Sequence, residues 1–478
     1  MHFICVFFCF QGPNFKRLFV RRPNLGEPLV NPFPHSAVTL PILLGLSLSF
    51  SVVAADKTSS LQYQTWAQTA EELQREDMLE KNPASVILWA GSAYAKEYHS
   101  PRGHHFAVAD VSHSLRSGVS PKAGETALSA SCWTCKTPDA PRLMKELGVE
   151  GFSAKRFAEQ GPEIQNPVYC SDCHTQGSAE LTLPRPHAQD AMAKVHKPFG
   201  EQNQSMQQSQ VCGQCHVTYY FQPERQDKVN IPWIFGNNAD EIEKYYDARQ
   251  FFEWVHPVSR TPLVKARHPE FEHWNRSAHA KAGISCVTCH MTQETSADGK
   301  SFTNHKITNH LPDFEAANCS SCHQSQQQIT QLITDNKALL EAKAQQLQEL
   351  LIKAHYEAGA AWKAGAQWQQ IGYAIMGIRH AQWRWDFAMS SHGIHAHNAK
   401  EGEALLNKGL EQIRAAREIL SKLNADLGVT RVDYPDYSTK AKAQAAIGVE
   451  QEKLTEEKQA FIETEVKKHW SKAANFGY

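Results

Sequence analysis

The last third of the chain carries apolar positions at helical spacing. Residues 324–365 contain no proline, and Leu340, Leu347, Leu351 and Ala354 recur along one face of a helix. The same reasoning predicts three further helices, separated by the segments SHGIH and LGVTRVDYPDYS: 366–392, 400–424 and 441–473. Such a leucine stripe packs either on the preceding region or on a second copy of the chain, and periodicity does not separate these uses.

The region before these helices has a different composition. Glycine, proline and short polar runs dominate it, and few segments alternate in the way that strands do. We expect short helices here, with the polar stretch QNQSMQQSQ (202–210) exposed. The sequence therefore predicts a mainly α fold with few short strands and long C-terminal helices. Its parts are a leader (1–55), a motif-bearing region (56–323) and a long-helix region (324–478).

The first 55 residues resemble an export signal. FKRLFVRRPN (15–24) is basic, AVTLPILLGLSLSFSVV (37–53) is apolar, and VVAAD (52–56) offers small residues for cleavage. An uncleaved membrane anchor is the alternative, although the apolar run is slightly short for a membrane span. We expect an exported, oxidising location.

The overall charge excludes one class of partner. The 478 residues have a formal net charge of −1, and the chain has no basic tract, which argues against nucleic acid. The unusual numbers are 12 cysteines and 24 histidines. Cys5 and Cys9 fall in the leader, so ten cysteines remain to be explained.

Those ten cysteines form five CxxC pairs, and four of the pairs are followed directly by histidine. The motifs are CWTCK (132–136), CSDCH (170–174), CGQCH (212–216), CVTCH (286–290) and CSSCH (319–323). In CxxCH both sulfurs form thioethers to a c-type haem, and the histidine becomes an axial iron ligand. Zinc would not require a histidine after every pair, and CxxC disulfides close loops too small to stabilise much. The sequence thus predicts five covalent haems, attached through Cys132, Cys135, Cys170, Cys173, Cys212, Cys215, Cys286, Cys289, Cys319 and Cys322.

The first motif differs because a lysine follows its second cysteine. The motifs supply one axial ligand per haem: Lys136, His174, His216, His290 and His323. Histidines elsewhere must cap the far sides, as in a bis-histidine electron-transfer array. A lysine binds iron only when its amine is neutral, which burial and coordination both favour. Either this first haem is the reactive one, open to substrate on its far side, or the first motif is degenerate and vacant.

These motifs resemble the periplasmic pentahaem cytochrome c nitrite reductases that form ammonia. The resemblance runs from about residue 62 to the C-terminus. It rests on the five haem motifs in this order together with PRGHHFAV (101–108), CHVTYYF (215–221), KARHPEFE (265–272), RHAQWRWD (379–386) and SHGIHAH (391–397). The resemblance implies a multihaem cytochrome c fold, six-electron reduction of nitrite to ammonium, association as a homodimer, and a quinol-linked membrane partner or a small cytochrome as electron donor.

The resemblance also implies the far-side ligands. It pairs His104 with the third-motif haem, His279 with the fifth, His305 with the second and His397 with the fourth. His105, His392 and His395 are adjacent alternatives that spacing alone does not exclude.

Three residues are implied to lie over the open iron: Arg116, Tyr219 and His268. A guanidinium and an imidazole attract an anion such as nitrite, donate hydrogen bonds to its oxygens and assist proton delivery. A phenol donates a hydrogen bond or relays a proton. Considered one at a time, each of these residues would more often be structural, and it is the motif context that favours the site.

The sequence departs from the family at a calcium site that many members hold beside the active site. Tyr219 and Lys265 are retained, but Thr218 replaces a glutamate and Arg267 replaces a glutamine. Calcium prefers oxygen ligands and carboxylate charge, so calcium is doubtful here. Calcium with glutamate carries a charge of +1, as does Thr218 with Arg267. We therefore expect the Arg267 guanidinium to occupy the calcium volume and to keep the local field positive. The alternative is an Arg267 that points to solvent beside weakly bound calcium.

Two other functions are open at this stage. A pure electron carrier would need neither Lys136 nor an open site. A multihaem enzyme acting on hydroxylamine or on sulfur oxyanions such as sulfite and tetrathionate would share much of the same array.

Overall fold

The structure is a computed structural model that describes residues 60–119, 128–307 and 314–478. The predicted leader (1–55) lies outside these residues. Residues 55–478 form one compact unit. Within the described residues, none of the helices combines the length and the apolar character that crossing a membrane requires.

The motif-bearing region is built from short helices, as the sequence predicts. The α-helices are Leu61–Ala67, Met78–Lys81, Ala84–Leu88, Ala107–His113, Asp139–Leu147, Val149–Ala154, Phe157–Gln160, Pro186–Val195, Gln204–Gly213, Ala239–Ala248, Glu270–Asn275, Ala278–Lys281 and Cys286–His290. Single 3₁₀ turns lie between them at Gln68–Glu71, Ala93–Ala95, His104–Phe106, Leu115–Ser117, Ala130–Trp133, Gly161–Glu163, Cys170–Asp172, Phe199–Glu201, Pro223–Arg225 and Cys319–Ser321.

The described strands are short and form three antiparallel pairs. Tyr220–Gln222 pairs with Lys228–Asn230, Trp254–Val255 with Pro262–Leu263, and Gln293–Thr295 with Ser301–Thr303. The fold is therefore mainly α, with few short strands.

The C-terminal region contains three long helices: Gln326–Lys363, Trp368–Met389 and Ala399–Asp426. Leu340, Leu347, Leu351 and Ala354, the predicted stripe, are all buried in the cluster at the centre of these helices. The first helix begins where the Ser325 side chain accepts a hydrogen bond from the backbone of Gln328, which is a standard N-cap. The stripe thus forms the core that joins the long helices to each other and to residues 84–88.

Two predictions about local structure are wrong. The predicted helix 441–473 is broken into Lys440–Ala446 and Gln451–Phe461, a π-helical turn Ile462–Val466 and Lys467–His469, with Lys472–Asn475 as a final 3₁₀ turn. The first break is at Gly448, whose φ of +75° suits glycine and ends a helix. The polar stretch 202–210 forms most of the helix Gln204–Gly213, and its Ser209 and Gln210 are fully buried.

The second long helix fixes the position of the KARHPE segment. Asp386, on Trp368–Met389, accepts hydrogen bonds of 2.7 Å from both the Lys265 ammonium and the Ala266 backbone. Lys265 and Asp386 are almost completely buried, so this ion pair depends on being fully hydrogen-bonded. Asp386 on this helix therefore fixes the position of Lys265 and Ala266, the irregular segment directly before Arg267 and His268.

Candidate active site

Each CxxC motif lies on a helical turn that directs its side chains together. In three of the histidine motifs the histidine N–H donates to the first cysteine's carbonyl: His174 to Cys170 (2.8 Å), His216 to Cys212 and His323 to Cys319 (both 2.9 Å). The first motif is wound more tightly, because Lys136 N–H donates instead to Trp133, three residues back, at 2.9 Å. The lysine motif therefore differs from these histidine motifs in backbone as well as in side chain.

The motifs lie next to one another in space. The thiol of Cys135 interacts with that of Cys215, and the thiol of Cys212 with that of Cys286. These contacts join the first motif to the third and the third to the fourth. None of the ten described cysteines forms a disulfide.

Four motif histidines face a second histidine, and the four separations are nearly equal. The ring centroids of His174 and His305 are 6.1 Å apart, and those of His279 and His323 are 6.2 Å apart. The values are 6.3 Å for His290 with His397 and 6.4 Å for His104 with His216. A metal between two imidazoles, bound at about 2.0 Å by each nitrogen, places the ring centres about 6 Å apart. All four pairs fit an iron between the rings.

The pair at the second motif is also oriented as metal ligands are. Nδ1 of His174 lies 3.0 Å from the carbonyl oxygen of Ala179, and Nδ1 of His305 lies 2.8 Å from that of Thr303. Metal-ligating histidines usually donate one ring N–H to such a carbonyl, which fixes the ring and leaves the other nitrogen for the metal. Both rings therefore have Nε2 available for an iron.

The alternative histidines have other neighbours. The His105 ring lies 4.1 Å from that of Phe476 and 5.1 Å from that of Trp66. The His392 ring faces His268, with 6.4 Å between ring centroids. The backbone carbonyl of His395 accepts a hydrogen bond from Asn336.

The three residues that were implied to lie over the first motif come from separate segments and meet around it. Arg116 lies on the turn Leu115–Ser117, and Tyr219 directly precedes the strand Tyr220–Gln222. His268 follows the segment that Asp386 fixes. Burial lowers the pKa of His268 well below its usual range, and the nearby Lys136 amine acts in the same direction while it is charged. Arg116 and Lys136 both act on Cys132 electrostatically. The structure thus brings a guanidinium, an imidazole and the lysine motif together.

Arg116 is held by aromatic rings. Its guanidinium carbon lies 5.0 Å from the Tyr94 ring centroid and 5.6 Å from that of Tyr98, within the range of cation–π attraction. Its Nε is buried and has no hydrogen-bond partner among the described residues. The Arg116 guanidinium is therefore positioned by two tyrosine rings, and its Nε–H remains available to donate to a bound anion.

The backbone of His268 is in a conformation that a histidine rarely adopts. Its φ is +51°, in the left-handed region that favours glycine. Such strain persists where surrounding contacts impose it, and it clusters at functional sites. The backbone of Phe271 donates to the His216 carbonyl at 3.0 Å, which ties this segment to the third motif.

Arg267 is buried and lies among backbone carbonyls. Its Nη1 donates to the carbonyl oxygens of Tyr219 and Lys265, both at 3.3 Å, and its Nε donates to the Tyr94 hydroxyl at 3.0 Å. The side chain is 8 % exposed, so the alternative of an arginine that points to solvent does not hold. The guanidinium lies between the two retained calcium-site positions.

Arg267 also has a carboxylate partner that the sequence did not reveal. Oε1 of Glu253 is 2.6 Å from Arg267 Nη1, and the other oxygen, Oε2, accepts from the Lys265 backbone at 2.9 Å. Burial opposes the charged arginine, but Glu253 together with the phenols of Tyr94 and Tyr219 raises the pKa of Arg267 well above its usual value. Arg267 and Glu253 together are neutral. The charge count made from Thr218 and Arg267 alone was therefore incomplete, and this pair does not by itself keep the field positive.

Thr218 has taken a structural role beside this ion pair. Its hydroxyl oxygen accepts from the Arg267 backbone at 3.1 Å, and its own N–H donates to Glu272 at 2.9 Å. It is fully buried. The two substituted positions therefore contact each other directly.

Comparison with known proteins agrees with the motifs. The family model for cytochrome c552 matches residues 54–476, which is nearly the whole chain. The chain belongs to the cytochrome c552 family. This is a family of multihaem nitrite reductases, so the chain is an oxidoreductase that carries covalent c-type haem.

Solved structures support the cytochrome c552 fold. The catalytic subunit NrfA of cytochrome c nitrite reductase from Desulfovibrio desulfuricans ATCC 27774, described with two calcium sites, is similar at a TM-score of 0.71. Identity is 24%, over 77% of this chain and 86% of that one. The outer cell wall cytochrome OcwA is similar at a TM-score of 0.33 and 16% identity, over 65% of this chain and 49% of that one. The first match shows the multihaem fold.

Proposed function

We propose that this protein reduces nitrite to ammonium at a c-type haem attached to Cys132 and Cys135, with Lys136 as its protein ligand. One observation carries the proposal: Arg116, Tyr219 and His268 converge on the one motif that lacks a histidine. The other four motif histidines are each paired with a second imidazole at the separation of two iron ligands. The proposed reactive site therefore differs from the four electron-transfer sites, because only the latter have a motif histidine paired with a second imidazole.

The haem, when bound, supplies the electrons and the Lewis-acidic iron for breaking the two N–O bonds. The chain supplies the anion site. Arg116, held against two tyrosine rings with its Nε unpartnered among the described residues, attracts nitrite and donates to its oxygens. Tyr219 holds its proton, because burial raises the pKa of its phenol well above the usual value, so it acts as a hydrogen-bond donor. His268 is neutral for the reason given above, and it donates an N–H and passes protons as a neutral ring.

The remaining ligands follow from the pairs. We assign His174 and His305 to the second haem, His216 and His104 to the third, His290 and His397 to the fourth, and His323 and His279 to the fifth, five haems in all. The four histidine pairs, and ten motif cysteines that form no disulfide, support this assignment.

The first experiment measures nitrite turnover with a reduced viologen donor while ammonium is quantified. We expect ammonium as the product, and a Lys136→His variant that keeps its haem but turns over at a different rate. Equal rates would contradict a special role for the amine. Assays with hydroxylamine, sulfite and tetrathionate test the enzymatic alternative. Five low-spin haems that take up neither nitrite nor cyanide would instead indicate an electron carrier.

We propose that Arg267 occupies the position that calcium holds in related enzymes. Its Nη1 donates to two backbone carbonyls that would otherwise face an ion, and Glu253 balances its charge. Stoichiometric calcium in chelator-washed protein would contradict this assignment.

We also propose that the protein is exported, accepts electrons from a partner and forms a homodimer. The leader pattern supports a periplasmic enzyme that receives electrons from a quinol-linked membrane partner or a small cytochrome. Mass spectrometry of the exported protein tests cleavage near residue 55.

A homodimer is supported by exposed apolar side chains on the three long helices: Leu332, Leu339, Trp368, Tyr373 and Ile419. Sedimentation of wild type and a Tyr373→Glu variant tests that surface.

A further inference from the structure

Glu270 lies beside His268 without any role in the site described so far. It begins the helix Glu270–Asn275, one proline after His268, and its backbone N–H donates to the His268 carbonyl at 2.8 Å. The left-handed backbone of His268 turns the chain directly before this helix. Glu270 is thus hydrogen-bonded, through its backbone, to the residue that carries the imidazole of the proposed reaction.

The two oxygens of the Glu270 carboxyl have different environments. Oε1 accepts a hydrogen bond of 3.2 Å from the backbone N–H of His392. Oε2 is buried and has no hydrogen-bond partner among the described residues. A buried carboxylate oxygen without a partner is costly, whereas a protonated one is a donor aimed at whatever lies in front of it. Since Oε1 is already an acceptor, the proton belongs on Oε2.

The surroundings place this carboxyl at the pocket. The His392 ring lies nearly parallel to that of His268, at 30° and 6.4 Å between centroids, a gap that admits a bridging water. On the other side Glu270 acts electrostatically on Tyr98, whose ring also carries Arg116 at 5.6 Å. Lys265, which affects both His268 and His392, is neutralised by Asp386. Of the titratable and charged groups, His392 bonds Glu270 through its backbone and Tyr98 interacts with the charge of Glu270, while Arg116, Lys265 and His268 adjoin these two residues.

We propose that Glu270 is the proton-supplying residue of this site and acts through His268. The inference deepens the proposed nitrite reduction and rests on it. Reduction to ammonium consumes eight protons, and a neutral histidine must be resupplied after each one it gives.

The step is a proton relay in which no electrons change hands. The O–H bond at Glu270 Oε2 breaks, and its proton reaches one ring nitrogen of His268 while the other ring nitrogen releases its proton to the substrate. The ring is neutral before and after, which suits its lowered pKa. The Glu270 carboxylate then regains a proton from solvent. Burial raises the pKa of Glu270 to about 7, against the hydrogen bonds from two backbone N–H groups, so both forms are accessible at neutral pH.

The test compares Glu270→Gln with Glu272→Gln in the haem-loaded enzyme. Glu272 is a matched control: it is buried on the same helix with a pKa raised to about 8 by burial, but it faces Thr218 and Trp233. We expect Glu270→Gln to lower kcat for nitrite at least about tenfold, with KM changed less than about twofold, and to remove the near-neutral ionisation from the pH profile. Glu272→Gln should stay within about twofold of wild type, and Glu270→Asp, which keeps a proton, should recover part of the rate.

A second measurement needs no substrate. Infrared difference spectra of nitrite-free enzyme should show two carboxyl bands that titrate near neutral pH: one is lost in Glu270→Gln and shifted in Glu270→Asp, and the other is lost only in Glu272→Gln. A Glu270→Gln enzyme with wild-type kcat and pH profile would overturn the proposal, as would a Glu270→Gln spectrum that keeps both bands. A wild type that makes no ammonium, yet shows the Glu270 band, would instead refute the proposed function, and the two failures are therefore distinguishable.

Discussion

Lys458 donates a hydrogen bond of 2.9 Å to the hydroxyl oxygen of Ser117, the residue next to Arg116. It also donates to the carbonyl oxygen of Gly118 at 2.8 Å. On the other side of the same turn, Glu97 accepts from the Ser114 hydroxyl at 3.0 Å and from the Leu115 backbone. The turn Leu115–Ser117, which carries Arg116, is therefore fixed at its start by Glu97 and at its end by Lys458.

Removing the Lys458 ammonium should weaken substrate binding more than it slows chemistry. We expect Lys458→Met to raise KM for nitrite about five- to tenfold, the equivalent of one or two lost hydrogen bonds, because the Arg116 turn loosens. Steady-state kinetics with haem content checked by absorbance measure this. Lys453→Met is the control, since Lys453 lies on the same helix but is 65% exposed. An unchanged KM in the Lys458 variant would contradict the positioning role.

Lys458 also predicts a pH dependence of stability. Burial lowers its pKa from 10.5 to about 7, although Glu97 opposes the shift. Between these values the unfolded chain binds more protons than the folded chain, so the contribution of Lys458 to the free energy of unfolding rises with pH. Wild type should therefore gain stability relative to Lys458→Met on going from pH 7 to pH 10. Denaturant titrations of both holoproteins at the two pH values measure the difference, and a constant gap would contradict the shift.

The Arg267 proposal predicts that a calcium site can be restored. Thr218 and Arg267 contact each other, so both must change: Thr218→Glu supplies a carboxylate, and Arg267→Gln removes the cation and frees the carbonyls of Tyr219 and Lys265. We expect the double variant to bind one calcium per chain in isothermal titration, and Thr218→Glu alone to bind none because Arg267 still occupies the position. Calcium binding by wild type of equal strength would show that the arginine displaces nothing.

The pairing of His174 with His305 predicts a spectroscopic change on substitution. His305→Ala should convert one low-spin haem to high spin in electron paramagnetic resonance spectra, because the second iron loses its far-side imidazole. His395→Ala is the matched control and should leave every signal unchanged. A His305 variant with a wild-type spectrum would exclude His305 as a ligand.

The sequence was most informative where spacing and composition carry the signal. The leucine stripe and the five motifs predicted the long helices, the mainly α fold and the family, because helical periodicity and CxxC spacing are local. The break at Gly448 was missed because the segments on either side, AKAQAA and EQEKLTEEK, are rich in good helix formers, and the glycine acts through a single positive φ.

The sequence was least informative about the partners of buried charges. Glu253 precedes Arg267 by a two-stranded hairpin, and Lys458 lies hundreds of residues after Ser117, so neither forms a motif with what it contacts. Glu270 and Glu272 stood inside the same quoted motif, and each has one bonded and one unpartnered buried oxygen among the described residues; only their neighbours, His392 for Glu270 and Thr218 with Trp233 for Glu272, distinguish them. Tertiary packing creates these relationships, and one-dimensional patterns do not encode them.

The four facing imidazole pairs have a consequence for biosynthesis. Each attachment motif is a short local segment that a maturation enzyme can read in an unfolded nascent chain, but the opposing ring comes from elsewhere. His397 lies after two of the three long helices, Gln326–Lys363 and Trp368–Met389, so on the proposed assignment the fourth haem gains its second ligand only after both have been synthesised. Covalent attachment and completion of the iron ligands are then separate stages, and a chain truncated before residue 397 would keep the fourth haem attached without its far-side imidazole.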